Sequence, residues 1–234
     1  MTLTNLQTIL HALYTGDSTT PDSSDAEYTV RTTYLNAAIN IWESEFGMLW
    51  NELFTTLQAS ATGDKTITAS TTAYDAPDDF KFLGGYVETY SDADQKTKWQ
   101  VVPAEKATVK DGDGIVGLSD GYVWVTGNMA DGYTINFSSQ PTVGDTIDYP
   151  FYKVATTLSD GSDALEMSDG YFAIYFALSK LHEQDGEGDR ATFAMSMAET
   201  KMTAMKTLNA MAPPWQLNGA ENSTLFRTGQ GFGL

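Results

Sequence analysis

The sequence predicts an α+β fold: a helical bundle from both chain ends, an inserted antiparallel β sandwich or small barrel, and an extended C-terminal tail. Three observations carry this. Apolar residues recur at helical spacing between Asp25 and Leu57 and again between Ser168 and Leu208. Between these regions the period changes to two, in β-branched and aromatic runs cut by Gly and Asp. After Pro213 no period remains, although large apolar residues do. The corresponding domains are 1–60, helical; 61–163, β-rich; 164–212, helical and completing the bundle; and 213–234, the tail.

At the N-terminus Thr4 and Gln7 form a capping-box pattern for a short helix with Leu6, Ile9, Leu10 and Leu13 on its apolar side. Gly16 ends it, and the loop Asp17 to Ser24 leads to a second cap at Ser24 or Asp25. The next segment carries Val30, Leu35, Ala38, Ile39, Trp42, Phe46, Leu49, Trp50, Leu53, Phe54 and Leu57 as one stripe. Arg31, Asn36, Asn40, Glu43 and Glu52 fill the opposite face. Read as one helix bent at Gly47, it approaches about 50 Å at ~1.5 Å per residue. Trp42, Phe46, Trp50 and Phe54 are then the candidate residues for packing against neighbouring copies.

Strands are expected at 65–70, 85–90, 98–102, 121–126, 133–137 and 146–152, with a helical turn at 103–107. Helices return with Tyr171, Phe172, Ile174, Tyr175, Leu178 and Leu181, then a turn at 186–189, then Phe193, Met195, Met197, Met202, Met205 and Leu208. Most of the nine methionines lie from Met167 onward, where they suit adaptable helix packing or a promiscuous partner surface. The tail holds Trp215, Leu217, Leu225, Phe226, Arg227, Phe232 and Leu234. It reads as a segment that orders on a partner or folds back on its own domain.

Composition narrows the function. Thirty-one acidic residues against 13 basic ones give a net charge of −18, unsuited to gripping nucleic acid through phosphates. The chain has no cysteine, which removes disulfides and thiolate metal sites. No apolar run is long enough to span a bilayer, and the N-terminus lacks an export-signal pattern, so no membrane partner is expected.

No motif supports catalysis, and the chain is read as neither an enzyme nor a holder of any cofactor or dedicated metal. Gly112-Asp-Gly-Ile-Val-Gly117 matches a dinucleotide fingerprint as a string, but a strand follows where a helix N-terminus is needed. Gly117-Leu-Ser-Asp-Gly121 matches a nucleophile elbow without the strand and helix that frame one. His11 and His182 are the only histidines. The aspartate pairs 92/94, 111/113 and 160/163 suit turns, or weak structural calcium, and lack the closing glutamate of a calcium loop. Asp78 and Asp79 form a carboxylate pair with no defined separation for glycoside hydrolysis.

The order of pieces resembles that of phage head-to-tail adaptor proteins, the connector family that includes the tail tubular A type. The likeness begins at Tyr74-Asp-Ala-Pro-Asp-Asp-Phe80, similar to a step from the helical into the β part. It continues through Tyr133-Thr-Ile-Asn-Phe137, Gln140-Pro-Thr-Val-Gly144 and Ile147-Asp-Tyr-Pro-Phe-Tyr-Lys153. Leu165-Glu-Met-Ser-Asp-Gly-Tyr171 then precedes an aromatic-rich helix, a turn and a last helix. Relatives often carry Pro before that aromatic helix, where this chain has Met167-Ser-Asp, and the 85–130 region is unusually rich in Gly and Asp.

The resemblance implies a structural virion protein made in the host cytoplasm and placed in the neck, a homo-oligomeric ring of about twelve copies. Such a ring joins the portal protein to a tail or nozzle protein, and DNA passes through without specific binding. The C-terminal residues Trp215, Leu217, Leu225, Phe226, Arg227, Phe232 and Leu234 would reach the portal. A different class, a cell-surface or carbohydrate-binding module, would use Trp99, Tyr122 and Trp124 as strand-borne aromatic platforms.

Overall fold

In the computed structural model, residues 1–91, 96–108 and 121–210 are described. They form two compact units, one from Met1–Glu52 with the chain onward from Ala155, the other from Leu53–Val154.

The first unit is helical. Helix α1, Leu3–Thr15, buries Leu3, Leu6 and Leu10. Its cap is Thr2, which accepts from the Asn5 amide at 3.4 Å, in place of the expected Thr4. Gln7 serves no cap either: it is fully buried and donates to the Tyr28 carbonyl at 3.1 Å and the Thr32 hydroxyl at 2.8 Å. Gly16 ends α1 as expected, in the left-handed conformation that glycine adopts without a steric penalty.

Helix α2 begins after Asp25 and spans Ala26–Glu43, burying Tyr28, Arg31, Leu35, Ala38, Ile39 and Trp42. It stops well short of the expected 57. Ser44 follows as its cap, and Gly47 turns the chain at φ 74°. A 3-10 turn, Asn51–Leu53, comes next. Two residues assigned to the polar face are tied inward. Arg31 is 1% exposed, and Asn36 exchanges two 2.9 Å hydrogen bonds with the Leu158 backbone.

Two further helices complete the unit: α4, Tyr171–Gln184, and α5, Gly188–Ala210, joined through Gly186 at φ 77°. Between α2 and α4 in chain order lies a single short helix, α3, Ala104–Thr108. Helix α4 is central, packed on α1, α2 and α5 and burying Phe172, Ala173, Ile174, Phe176, Ala177, Leu178 and Leu181. The small Ala194 and Ala198, with Met202 and Met205, form the buried face of α5.

The second unit contains α3 and nine strands: β1 (Phe54–Thr56), β2 (Ala73–Asp75), β3 (Phe80–Leu83), β4 (Val87–Tyr90), β5 (Lys96–Val101), β6 (Tyr122–Asn128), β7 (Gly132–Phe137), β8 (Thr146–Asp148) and β9 (Pro150–Lys153). They make a three-stranded sheet, β1-β9-β3, and a six-stranded one, β2-β7-β6-β5-β4-β8, so helices from both chain ends do flank a β-rich insertion. The curved sheets form a half-barrel. All pairings are antiparallel except β5 with β6, which run parallel through Gln100↔Tyr122 and Val101↔Val123. A parallel pair needs a crossover rather than a hairpin, and the link between these strands contains α3. The expected strand at 65–70 is only a single bridge, Thr66↔Thr146, next to buried Ile67.

The β core is aromatic. Phe80 stacks on Phe151 with centroids 5.6 Å apart, and Phe137 takes Trp99 edge-on at 4.9 Å and Tyr74 at 5.6 Å. Burial pushes the Tyr149 phenol well above its usual range, with the nearby Asp64 and Asp148 carboxylates acting in the same direction.

Candidate functional site

The motif beginning at Tyr74 builds a turn. Tyr74 and Asp75 end β2, Pro77 accepts from the Phe80 amide at 2.9 Å, and Asp79 accepts from Val154 at 2.7 Å, tying the start of β3 to the end of β9. Gly63 passes so close that a Cβ there would lie 2.9 Å from the Pro77 nitrogen. In Gln140-Pro-Thr-Val-Gly144 the glycine turns at φ 90°, and the Gln140 amide reaches the Thr68 carbonyl at 3.1 Å. These pieces shape the β unit and leave no nucleophile, base and acid converging. Asp78 is exposed, its amide bonded to the Thr62 hydroxyl at 3.0 Å. Among the described residues no cluster of three or more His, Asp or Glu could hold a metal ion, and no helix is long and apolar enough to cross a membrane.

The aspartates at 160 and 163 build a turn. One Asp163 oxygen accepts from the Ser159 and Asp160 amides, each at 2.7 Å, and from the Ser159 hydroxyl. Asp160 accepts from the Ser162 hydroxyl at 2.7 Å and its amide at 2.9 Å. These donors favour the charged form and hold both carboxyls below their ordinary value of 3.8. The turn anchors the N-terminus, because Asp163 and Gly161 accept from the Leu3 and Thr4 amides. The pairs at 92/94 and 111/113, and both glycine-rich strings apart from Gly121, lie outside the described residues.

The four aromatic residues expected along one helix are dispersed. Trp42 and Trp50 are buried against each other, centroids 5.2 Å apart, with the Trp50 indole donating to the Trp42 carbonyl at 2.6 Å. Phe54 lies on β1, 39% exposed, its ring against Tyr152. Phe46 is 99% exposed. It stands on a turn fixed by α5: Lys206 pairs with Glu45, the Asn209 amide donates to the Leu49 carbonyl at 2.8 Å, and its oxygen accepts from the Asn51 amide at 3.0 Å. An exposed phenylalanine on a braced turn is a contact feature rather than a packing one.

The helical unit leaves more apolar surface in water. Val30 and Ile41 on α2 are 38% and 42% exposed, and Phe193 and Leu208 on α5 are 69% and 65% exposed. Phe193 also borders a 270 Å³ depression with Tyr175, Leu178 and His182. In the β unit a 450 Å³ groove runs between β3 and the larger sheet, lined by Phe80, Leu83, Val101, Val125 and Tyr133.

This is the surface of a protein that fits against others, and one comparison says which kind. The family model described as SU10 adaptor protein matches residues 1–219. The chain belongs to the SU10 adaptor protein family. Among curated proteins no match was found. The adaptor is therefore a phage structural component, in accord with the resemblance drawn from its sequence pieces.

Of the residues suited to a sugar platform, Trp99 is buried in the adaptor's β core, its indole donating to the Thr89 hydroxyl at 3.0 Å. Tyr122 and Trp124 are half-buried, rings 5.9 Å apart. The tail residues Trp215, Leu217, Leu225, Phe226, Arg227, Phe232 and Leu234 lie outside the described residues.

Sequence reasoning missed the polar network of the helical unit. The Arg31 guanidinium donates to His11 Nδ1 at 2.7 Å and to Glu27 at 2.9 Å, and lies 5.7 Å from the Tyr14 ring centre. The Tyr14 hydroxyl donates to Asp185, and this bond, with partial burial, pushes its pKa up to about 12. Glu187 accepts from Arg190 and pairs with His182 Nδ1 at 2.7 Å. The available signal was the i, i+4 pair Glu27 and Arg31, which on its own reads as an ordinary surface pair.

Proposed function

We propose that this adaptor forms a ring, of about twelve copies by family resemblance, that joins a phage portal to the tail and lines the DNA exit channel. Its place is the neck of the virion. The observation that carries this reading is the apolar surface on α2, the Phe46 turn and α5, in a unit whose own core is already closed by α4. Side chains of this size, held exposed on braced elements, gain free energy only when a neighbour covers them. Of the four aromatic residues expected to pack the ring, Phe46 and Phe54 supply contact surface, while buried Trp42 and Trp50 fix the base of the turn. The net charge of −18 suits a channel wall that lets DNA slide without sticking.

The tail from Trp215 to Leu234 is assigned to the portal, with Trp215, Leu217, Leu225, Phe226, Phe232 and Leu234 as its apolar anchors and Arg227 as its one cation. Light scattering of the chain alone and mixed with portal rings tests the whole reading. Binding of about one adaptor per portal subunit is expected, and a chain that stays monomeric and ignores the portal would refute it. A chain ending at Pro213 that binds the portal with unchanged affinity would remove the tail from this role.

A further inference from the structure

Two helices of the first unit each carry a second apolar stripe beside the one they bury. On α2 it is Val30, Tyr34, Ala37 and Ile41, at i, i+4, i+7 and i+11. This stripe lies roughly a third of a turn round the helix from Leu35, Ala38 and Trp42, which face the core. Val30 and Ile41 are exposed, and Tyr34 and Ala37 half-buried. On α5 it is Phe193, Met197, Ala204 and Leu208, displaced in the same way from Ala194, Ala198, Met202 and Met205. Phe193, Ala204 and Leu208 are exposed and Met197 half-buried. Both helices pack on α4 through their buried stripes, so both second stripes are left without a partner inside this unit.

We propose that the α2 stripe of one copy packs on the α5 stripe of the next. The inference rests on the ring reading above and names its contact. Two different faces of one chain that fit each other give a head-to-tail contact, the kind that closes into a ring, whereas a face that paired with itself would stop at a dimer. Charge agrees with this pairing. The only basic residue of α2, Arg31, is buried, which leaves Glu27 and Glu43 as its outer charges. Helix α5 carries Arg190, Lys201 and Lys206 against Asp189 and Glu199, a net positive element in a strongly acidic chain. Its cations touch Glu187, Asp169 and Glu45 of their own chain, so their contribution is to the field of the face rather than to a specific new pair. The small Ala37 and Ala204 near the middle of each stripe allow close approach of the two helices.

The test uses two full-length variants, Ile41→Asp and Leu208→Asp, with sedimentation over a concentration series. Wild-type protein is expected to self-associate, and each variant alone to do so at least ~10-fold more weakly. Mixed in equal amounts, the variants should form a one-to-one dimer and nothing larger, because only one intact α2 face then meets one intact α5 face. Phe193→Asp should behave as Leu208→Asp does, and unchanged melting curves show that the variants fold. Wild-type assembly with undiminished assembly of either variant would overturn the face assignment and leave the ring standing. A mixture that stays monomeric would also overturn the pairing. Wild type that is monomeric at every concentration would refute the ring and this contact together.

Discussion

The two units of the chain solve burial in opposite ways. The β unit collects its large side chains inward: Phe80, Trp99, Phe137, Tyr149 and Phe151 are at most 5% exposed and touch one another. The helical unit buries charged and polar groups, Arg31, Gln7, His182 and Ser179, while holding Phe46, Phe193 and Leu208 in solvent. A unit that exposes its apolar residues and sequesters an arginine is poorly explained by stability alone. The difference shows which part of the adaptor is built for neighbours and which carries its own core.

The strongest way to break that comparison is in the β core. Phe151→Ala should destabilise the β unit by ~3–5 kcal/mol, since it opens a cavity among Phe80 and Tyr149. Chemical denaturation followed by tryptophan fluorescence would measure it, and a loss below 1 kcal/mol would mean that this core is not tightly packed.

A smaller loss is expected at Arg31. Arg31→Ala removes its bonds to His11 and Glu27 and its packing on Tyr14, at a cost of about 1–3 kcal/mol. Arg31→Met keeps part of the packing and should cost less, because Glu27 is 79% exposed and can return to water. Equal losses in the two variants, by thermal denaturation, would assign the effect to charge alone.

Asp163→Asn should loosen the turn that anchors the N-terminus, seen as faster hydrogen exchange at Leu3 and Thr4. The pH dependence has a definite sign. A carboxyl held below 3.8 in the folded state stabilises the fold above that value, and the contribution is lost as pH falls through the folded value. The variant should therefore differ from the parent at neutral pH and converge with it in acid.

Phe46→Ser should change stability least, within about 0.5 kcal/mol, since the side chain has almost no contacts to lose. Its effect belongs in assembly, as weaker binding to neighbours or the portal. Wild-type assembly by this variant would take the residue out of the contact surface.

Much of the architecture was legible in local pattern. Gly16 and Asp25 mark helix boundaries, and the strands at 85–90, 98–102, 121–126, 133–137 and 146–152 all have counterparts. Three strands, β1, β2 and β3, went unread because they span only three or four residues, too few to show a period. The surface residues were harder to read, since an exposed Phe46 and a buried Trp42 are equally apolar in the sequence.

By itself the sequence determined which segments are helical and which extended, because those preferences follow from periodicity within a few turns or one strand. It also determined the absence of thiol chemistry and the acidic balance that keeps phosphates at a distance. Only the tertiary structure decided where α2 ends. The residues that hold the turn after it, Lys206 and Asn209, lie about 160 positions later in the chain. It likewise decided that Arg31 is buried and that β5 and β6 run parallel. Each of these is set by contacts between residues distant in sequence, and the energy of such contacts is invisible to any local pattern.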